Sequence, residues 1–484
     1  MTEICVPLSP RTTTECCHRM ETLASRCDLF EIRADAFEET PDLCQILHQA
    51  SRPIIWTHRN PQEGGRPNPR QPGRLEEYRR ALELGARWID VEWKSGLAKE
   101  LTAFRESLVL SLHDFNTTPG DLLQSVSKMV QEPCAVVKIV TQINRTEHLL
   151  KLVEAAHWLK NMNKRFVVAG MGDDGTAIRV LSPLLDCEWT YAALDVPTAS
   201  GQLTKADLEL YRFGALHPGT RLFAVIGNPI AHSRSPWFHN SAYREMGLNA
   251  VYVAIRVDDL DTYLKLSGRL GILGWSVTLP WKAEMARMCV LQDSASRLSG
   301  VVNTVRREGE RFLGWNTDWS GFIEPLRKRR PVSGLRVCVL GTGGGARTAV
   351  AALLSEGAHV TVLGRRPEAL QVFARDFSAQ TGLLADATPA SGDVIVNATS
   401  VGMSPDDGSM PVSTALLERF KIAYDLVYTP PLTMFLHAAQ QLGLQTIPGW
   451  EMFVQQAAEQ VKIFTGSAPP SQWLNAQLVL GVRC

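Results

Sequence analysis

Along the first 210 or so residues, short apolar runs alternate with longer stretches in which apolar positions recur every three or four residues. The runs cover 3–8, 29–32, 53–57, 88–93, 108–112, 135–140, 166–169 and 189–194. Short, near-continuous apolar segments bounded by polar residues read as buried strands, whereas 75–84 and 146–159 carry the helical period. Repeated strand–helix units predict an α/β fold, here a compact (β/α)8 barrel over residues 1–213. Such barrels usually need about 250 residues, so helices or loops must be trimmed.

The pattern breaks between Tyr211 and Ser235, where Gly214, Pro218 and Gly219 punctuate the chain. A fresh strand at 222–226 then runs into a Gly-Asn-Pro turn, as a new domain would. Further on, the buried strand 336–340 leads directly into Gly341-Thr342-Gly343-Gly344-Gly345-Ala346 and a helical stretch to 354. Strand, glycine-rich turn and helix together form the dinucleotide fingerprint, in which backbone N–H groups approach a pyrophosphate. The next strand, 359–364, ends in Arg365 and Arg366 rather than in an acid. An acid there would bind the ribose hydroxyls of NAD, whereas arginine suits a 2′-phosphate, so NADP(H) is the expected cofactor. Two more buried strands, 393–398 and 422–427, are each followed by a polar loop, and Thr399 begins the first of these loops.

A chain of 484 residues is long enough for about three domains. Lys+Arg and Asp+Glu both number 50, so net charge is zero, which argues against a nucleic-acid or membrane-surface partner. The N-terminus lacks a basic region followed by an apolar core, and no apolar run approaches the ~20 residues of a membrane helix. The ten cysteines form no C-x-x-C pair and fit no zinc spacing, so reduced thiols in a cytoplasmic protein are expected and no metal is.

In a (β/α)8 barrel the chemistry sits where strands end. The polar residues at those ends are Glu31, Arg33, Arg59, Glu63 in the following loop, His113, Asp114, Arg179, and Thr198 to Gln202. Lys138, set between Val137 and Ile139, is the sharpest candidate. Inside a barrel, desolvation would favour its neutral, nucleophilic form and a Schiff base with a carbonyl; alternatively the side chain snorkels or pairs with Glu92. His113, on the neighbouring strand, could shuttle a proton, and Arg33, Arg59 and Arg179 would make a cationic rim for a carboxylate. In the second half Ser233, Ser235, Thr278, Lys282, Asn303 and Asp318 offer hydrogen bonds to a polyol, with Lys282 and Asp318 as a proton-transfer pair. Taken singly, Ser235 could instead be a plain helix start and Lys282 a solvated lysine.

The motifs FEIRAD (30–35), HRNPQEGG (58–65), LSLHDF (110–115), VVKIV (136–140), MGDDGTAIR (171–179) and PTASGQ (197–202) resemble type I 3-dehydroquinate dehydratase. The resemblance implies Lys138 as the iminium lysine, His113 as the proton shuttle and Glu63 as its acidic partner. Glu31, Arg33, Arg59, Arg179, Thr198 and Gln202 fall on its substrate-binding positions. Thr198 stands where serine is common, and Ser200 where proline is frequent.

From about 220 onward, NPIAHSRSP, SVTLPWK, VVNT, NTDWSGF, GTGGGAR, NATSVGM, YDLVYTPPLT and FVQQAAEQ resemble shikimate dehydrogenase. That resemblance implies a two-lobed α/β dehydrogenase with a Rossmann-like NADP-binding lobe. Its substrate lobe would span 220–320, completed by 450–484, and its cofactor lobe 321–449. It implies Lys282 and Asp318 as the catalytic pair, with Ser233 and Ser235 on the substrate carboxylate. Thr278, Asn303, Tyr428 and Gln456 would be further substrate contacts. Gly341, Gly343, Gly344, Gly345, Ala346, Arg365, Arg366, Thr399, Gly449 and Met452 would surround NADP(H). Gly345 replaces a usual alanine and Gly364 a frequent asparagine.

Since the dehydratase product, 3-dehydroshikimate, is the dehydrogenase substrate, the chain resembles a fused enzyme of the shikimate pathway. Its partners would be these small molecules, and a homo-oligomer is compatible with this. A catabolic NAD-linked quinate/shikimate dehydrogenase, a class I aldolase-like barrel and a retired-enzyme sensor are the competing readings. Arg365, the arginine-rich rim and the presence of both Lys138 and His113, respectively, argue against them.

Overall fold

The computed structural model describes residues 2–67, 73–194, 201–231, 233–386 and 391–480. The first eight strands are β1 (Glu3–Leu8), β2 (Leu29–Arg33), β3 (Ile54–Thr57), β4 (Trp88–Glu92), β5 (Leu108–Asp114), β6 (Val136–Gln142), β7 (Arg165–Met171) and β8 (Trp189–Ala193). They pair in parallel from β7 down to β1 and on to β8, where the short β9 (Leu203–Thr204) is added. The Glu188 N–H donates to the Phe166 carbonyl at 2.9 Å, tying the start of β8 to β7. This is the expected (β/α)8 barrel. Its economy lies in the connections: the helix Leu43–Gln49 has 7 residues, Thr176–Val180 has 5, and a 3-10 run, Leu97–Ser107, joins β4 to β5.

Several strands run further than their apolar runs. β5 continues through His113 and Asp114, because ladder hydrogen bonds come from the backbone and tolerate polar side chains. The barrel interior is layered. Cys5, Leu29, Ile55, Trp88, Val109, Val136, Val167 and Trp189, one from each strand, lie in one buried apolar cluster that Tyr191 joins from above. Side chains of a strand repeat on one face every two residues. Two positions beyond that floor stand Glu31, Thr57, Asp90, Ser111, Lys138 and Tyr191, so the next layer is polar.

A six-stranded mixed sheet comprises β10 (Arg221–Gly227), β11 (Ala250–Arg256), β12 (Ile272–Val277), β13 (Val290–Leu291), β14 (Thr304–Glu308) and β15 (Arg311–Trp315), in the order β11-β10-β12-β14-β15-β13. A second six-stranded sheet comprises β16 (Arg336–Leu340), β17 (His359–Gly364), β18 (Gln380–Leu383), β19 (Val394–Asn397), β20 (Ile422–Asp425) and β21 (Gln445–Ile447). Its order is β18-β17-β16-β19-β20-β21, and every pairing is parallel. Alternate residues of its strands enter two different cores. Val337, Val339, Val394 and Val396 pack with Ala346, Ala349, Val350 and Leu353 on one face. Cys338, Leu340, Ile395 and Ala423 pack with Leu416, Phe435 and Ala439 on the other. Helices on both faces make this a doubly wound, Rossmann-like lobe. The strand order reverses between β16 and β19, the switch point where such folds bind ligands.

By compactness the chain forms two units. One comprises Met1–Leu222, Ile230–His232 and Asn249–Ile272; the other comprises Phe223–Pro229, Ser233–Leu248 and Leu273–Cys484.

Two candidate active sites

In the barrel, Lys138 is buried at 3% exposure. Its Nζ donates to Asp90 at 2.7 Å and Glu31 at 3.0 Å, and stands 4.5 Å from the Tyr191 ring centroid. The alternative pairing with Glu92 does not form, because β4 turns Asp90 into the lysine's layer and Glu92 two residues higher. Glu92 instead meets Arg74, and Arg59 at 3.5 Å. Asp90 also accepts from Ser111 at 2.6 Å and pairs with Arg59 at 2.8 Å. Burial opposes its charge, but Arg59 and Lys138 hold its carboxyl well below the usual carboxylate range.

Above this layer, on the strand beside Lys138, lies His113. Its Nδ1 is 3.2 Å from Glu63 Oε2, and its backbone N–H donates to the same oxygen at 3.3 Å. Burial, with Arg59 and Lys138 nearby, pushes the imidazole well below its ordinary value, so at pH 7 it is neutral, the form that can take a proton. Burial lifts the Glu63 carboxyl to about 7, against the pull of Arg59. Glu63 ends a tight loop that closes at Gly64, whose φ is +83°. A Cβ at Gly64 would press on Phe115 at 2.4 Å, and the Phe115 ring stacks on His113 at 6.1 Å.

The three arginines do not make a uniform rim. Arg59 is buried among Asp90, Glu92 and Glu31, which hold its guanidinium charged despite burial. Arg33 is engaged bidentately by Asp35 at 2.9 Å and donates to the Gly64 carbonyl at 3.1 Å. Arg179 is different: it is 2% exposed, donates to the Gly170 carbonyl at 2.6 Å, and pairs with no carboxylate among the described residues. Burial pulls it down to about 10, so it remains charged. A buried cation without a counter-ion is suited to an anionic ligand. Gln202 lies immediately before β9. Thr198 falls outside the described residues.

In the second unit, Lys282 opens the helix Lys282–Met288, and Asp318 opens Asp318–Arg327. Lys282 Nζ and Asp318 Oδ2 are 2.5 Å apart. Asn303 Nδ2 lies 2.8 Å from Asp318 Oδ1, 2.9 Å from Thr317 Oγ1 and 3.3 Å from Gln456 Oε1, so four candidate residues form one network. Tyr428 packs on Phe453 at 4.8 Å, and burial pushes its phenol up. The Ser235 N–H donates to Ser233 Oγ at 3.3 Å at the start of the helix Ser235–Glu245. The Thr278 N–H donates to the Ile226 carbonyl at 2.9 Å, at the end of β12.

The glycine-rich turn reaches the same pair. A Cβ on Gly344 would meet the Lys282 side chain at 3.2 Å. Gly341 has φ +108°, and a Cβ there would meet the Ala398 carbonyl at 3.0 Å. Thr399 donates to Asn397 at 2.7 Å, and Asn397 in turn donates to Asp425 at 2.9 Å. Gly449 starts the helix Gly449–Thr465, where a Cβ would strike the Val427 carbonyl at 2.5 Å; Met452, in the same helix, is buried.

The type I 3-dehydroquinase family model matches residues 4–213. The shikimate dehydrogenase substrate-binding model matches 225–305, and the C-terminal shikimate 5′-dehydrogenase model 449–472. The chloroplastic bifunctional 3-dehydroquinate dehydratase/shikimate dehydrogenase of Arabidopsis thaliana is 31% identical over 477 residues, covering 92% of this chain and 79% of that protein. The chain belongs to this bifunctional family.

It is therefore an enzyme of the shikimate pathway, a 3-dehydroquinate dehydratase joined to an NADP-dependent shikimate dehydrogenase. The NADP(+) shikimate dehydrogenase of Bacillus licheniformis is 37% identical over 257 residues, covering 51% of this chain and 92% of that protein. A shikimate dehydrogenase solved in complex with NADP+ matches with a TM-score of 0.50 at 30% identity, covering 55% of this chain and 96% of that one. The residues of this bifunctional chain fit that cofactor. No side chain caps the helix Gly344–Ser355 at Gly343, so its first N–H groups are available to phosphate. Arg365 and Arg366 are exposed at the end of β17, without an ion pair among the described residues. Among the described residues no helix is long and apolar enough to cross a membrane, no His/Cys/Asp/Glu group could hold a metal, and nine cysteines are free.

Sequence reasoning passed over Asp90, Ser111 and the Asn397–Asp425 pair. The signal for Asp90 was present: in WIDVE the acids at 90 and 92 alternate with Ile89 and Val91, which places them on one face of a buried strand.

Proposed function

We propose that Lys138 attacks the ring ketone of 3-dehydroquinate and, with loss of water, forms the iminium. The observation that carries this reading is a lysine enclosed by Asp90 and Glu31 in the polar layer directly beneath the His113–Glu63 pair. Glu31 is placed to accept the proton that the amine sheds before attack, while Asp90 stays ionised and orients the lysine. The neutral His113 takes the C2 proton, polarised by the adjacent iminium, and returns it to the C1 hydroxyl, which leaves as water. Glu63 stabilises the imidazolium formed in between. Water then hydrolyses the iminium and frees Lys138. Arg179 holds the substrate carboxylate, and Glu31, Arg33, Arg59, Thr198 and Gln202 complete the substrate contacts.

In the second unit Ser233 and Ser235 hold the carboxylate of 3-dehydroshikimate. Thr278, Asn303, Tyr428 and Gln456 meet the ring hydroxyls, and Lys282 passes a proton to the ketone oxygen while Asp318 holds the lysine in place. NADPH, when bound, supplies the hydride. Gly341, Gly343, Gly344, Gly345, Ala346 and Thr399 line its pyrophosphate, Arg365 and Arg366 its 2′-phosphate, and Gly449 and Met452 its nicotinamide end. The domain division follows: 1–213 for dehydration, 220–320 with 450–484 for the second substrate, and 321–449 for the cofactor. The free thiols support a reducing, cytoplasmic setting.

The test follows NADPH absorbance after 3-dehydroquinate is added to the purified chain alone. Loss of NADPH is expected. Loss only with supplied 3-dehydroshikimate would overturn the barrel assignment.

A further inference from the structure

Residues Asn249–Ile272 lie within the stretch matched by the dehydrogenase substrate-binding model, yet by compactness they belong with the barrel. The helix Leu260–Leu270 packs on the barrel helix Thr146–Asn161. Ahead of it, the end of β11 and the following turn reach the catalytic mouth of the barrel. Arg256 Nε donates to Asp174 Oδ2 at 2.7 Å, in the loop after β7, and its Nη2 donates to the Asn144 carbonyl, in the loop after β6. Asp258 accepts from the Thr146 N–H at 2.8 Å and from its Oγ1 at 2.5 Å, and the Asp258 N–H returns a bond to Thr146 Oγ1 at 3.0 Å.

These contacts continue into the site. Asn144 Nδ2 donates to the Asn116 carbonyl at 2.8 Å, and the Asn116 N–H donates to Asp114 at 3.0 Å, next to His113. Asp174 directly precedes Gly175, which is packed so tightly on Gly170 that a Cβ would meet its backbone at 2.4 Å. Gly170 is the residue whose carbonyl orients Arg179. One guanidinium thus holds two loops, one of which leads into the helix of Arg179, a buried cation with no carboxylate partner among the described residues.

We infer that Arg256 is a positioning residue for the dehydration reaction: it clamps the loops after β6 and β7 and so sets Arg179 against the carboxylate of 3-dehydroquinate. This rests on the assignment of Arg179 to that carboxylate. Arg256 is 24% exposed and Asp174 29%, so the pair adds little to stability. Its effect is on geometry, and binding and catalysis fall steeply when a binding group moves by about 1 Å. Because Arg179 holds a part of the substrate that does not react, losing its alignment raises KM more than it lowers kcat.

The test uses the full chain, with Arg256→Met, Arg179→Ala and the double variant. For each, kcat and KM are measured for 3-dehydroquinate, with shikimate oxidation and Tm alongside. Arg256→Met is expected to raise KM about tenfold, short of the ~10²-fold cost of full misalignment, with kcat within about twofold. Shikimate oxidation and Tm should stay near the parent's. The double variant should be no worse than Arg179→Ala, since both remove one interaction. An unchanged KM in Arg256→Met beside a raised one in Arg179→Ala overturns the inference. A parallel fall of both activities and Tm in Arg256→Met also overturns it, because the role is then structural. An unchanged KM in Arg179→Ala overturns the site assignment on which the inference stands.

Discussion

Both units set a lysine against a carboxylate, but they enclose the pair differently. Lys138 lies between Asp90 and Glu31 on the inner face of a barrel, with side-chain exposures of 4%, 0% and 5%. Lys282 meets Asp318 alone, where two helices begin, at 16% and 8%. The barrel lysine is buried and stands over an apolar floor, which suits a nucleophile that must exclude bulk water. The dehydrogenase lysine is more exposed and borders a glycine-rich turn, which suits a group that passes a proton beside a bound cofactor. The same two side-chain types acquire different chemistry from what encloses them.

The comparison breaks most sharply at Lys138. Lys138→Met should lower dehydration more than about 10³-fold and leave the reduction of 3-dehydroshikimate intact, as separate assays with the two substrates would show. Loss of both activities in a folded variant would mean that the sites are not independent. Because the change leaves Asp90 and Glu31 short of a cation, a lower Tm is expected too.

On the other side, Asp318→Asn should lower shikimate oxidation by about 10²-fold or more, with dehydration unchanged. An Asp318→Asn enzyme that keeps its rate would reduce the Lys282 pair to a structural contact.

Glu63 sharpens the contrast through pH. Its carboxyl is raised to about 7, so it is neutral below that value and charged above it. The kcat/KM for dehydration should therefore fall as pH drops through about 7, with an apparent value that belongs to the coupled Glu63–His113 pair. Glu63→Gln should remove that limb and cost about 10-fold or more in rate. A limb that survives in Glu63→Gln would assign it to another group.

The smallest effect is at Asp425, which burial raises from 3.8 to about 7 despite bonds from Thr433, Val427 and Asn397. A carboxyl raised on folding favours the folded state at low pH, and that contribution is lost as pH rises through about 7. Asp425→Asn should flatten the fall in stability between about pH 4 and 7, so that the variant compares more favourably with the parent at pH 7 than at pH 4. Denaturant midpoints measured across that range would show it.

Much of the fold was legible because its signals are local. Parallel strands buried on both faces must be apolar runs, and the fingerprint turn demands glycine where the backbone meets Ala398 and Lys282. Strand ends were less legible: β5 outran its apolar run by His113 and Asp114, the segment that holds the candidate proton shuttle. The arginine rim was legible as composition but not as charge. Whether Arg33, Arg59 or Arg179 keeps a free cation depends on which carboxylates reach it in space: Asp35 is two residues from Arg33, but Asp90 and Glu92 are distant in sequence from Arg59.

By itself, then, the sequence determined the barrel, the Rossmann-like lobe, and the identity of Lys138, His113, Lys282 and Asp318 as the groups to watch, since periodicity and short motifs need only neighbours along the chain. Tertiary structure decided that Lys138 answers to Asp90 rather than Glu92, that Arg179, unlike Arg33 and Arg59, meets no carboxylate among the described residues, and that Arg256 reaches the loops of the barrel. Those outcomes depend on register, layer and burial, which bring together residues up to 112 positions apart. Electrostatic energy follows distance in space and exclusion of water, and neither is written in the local pattern of a chain.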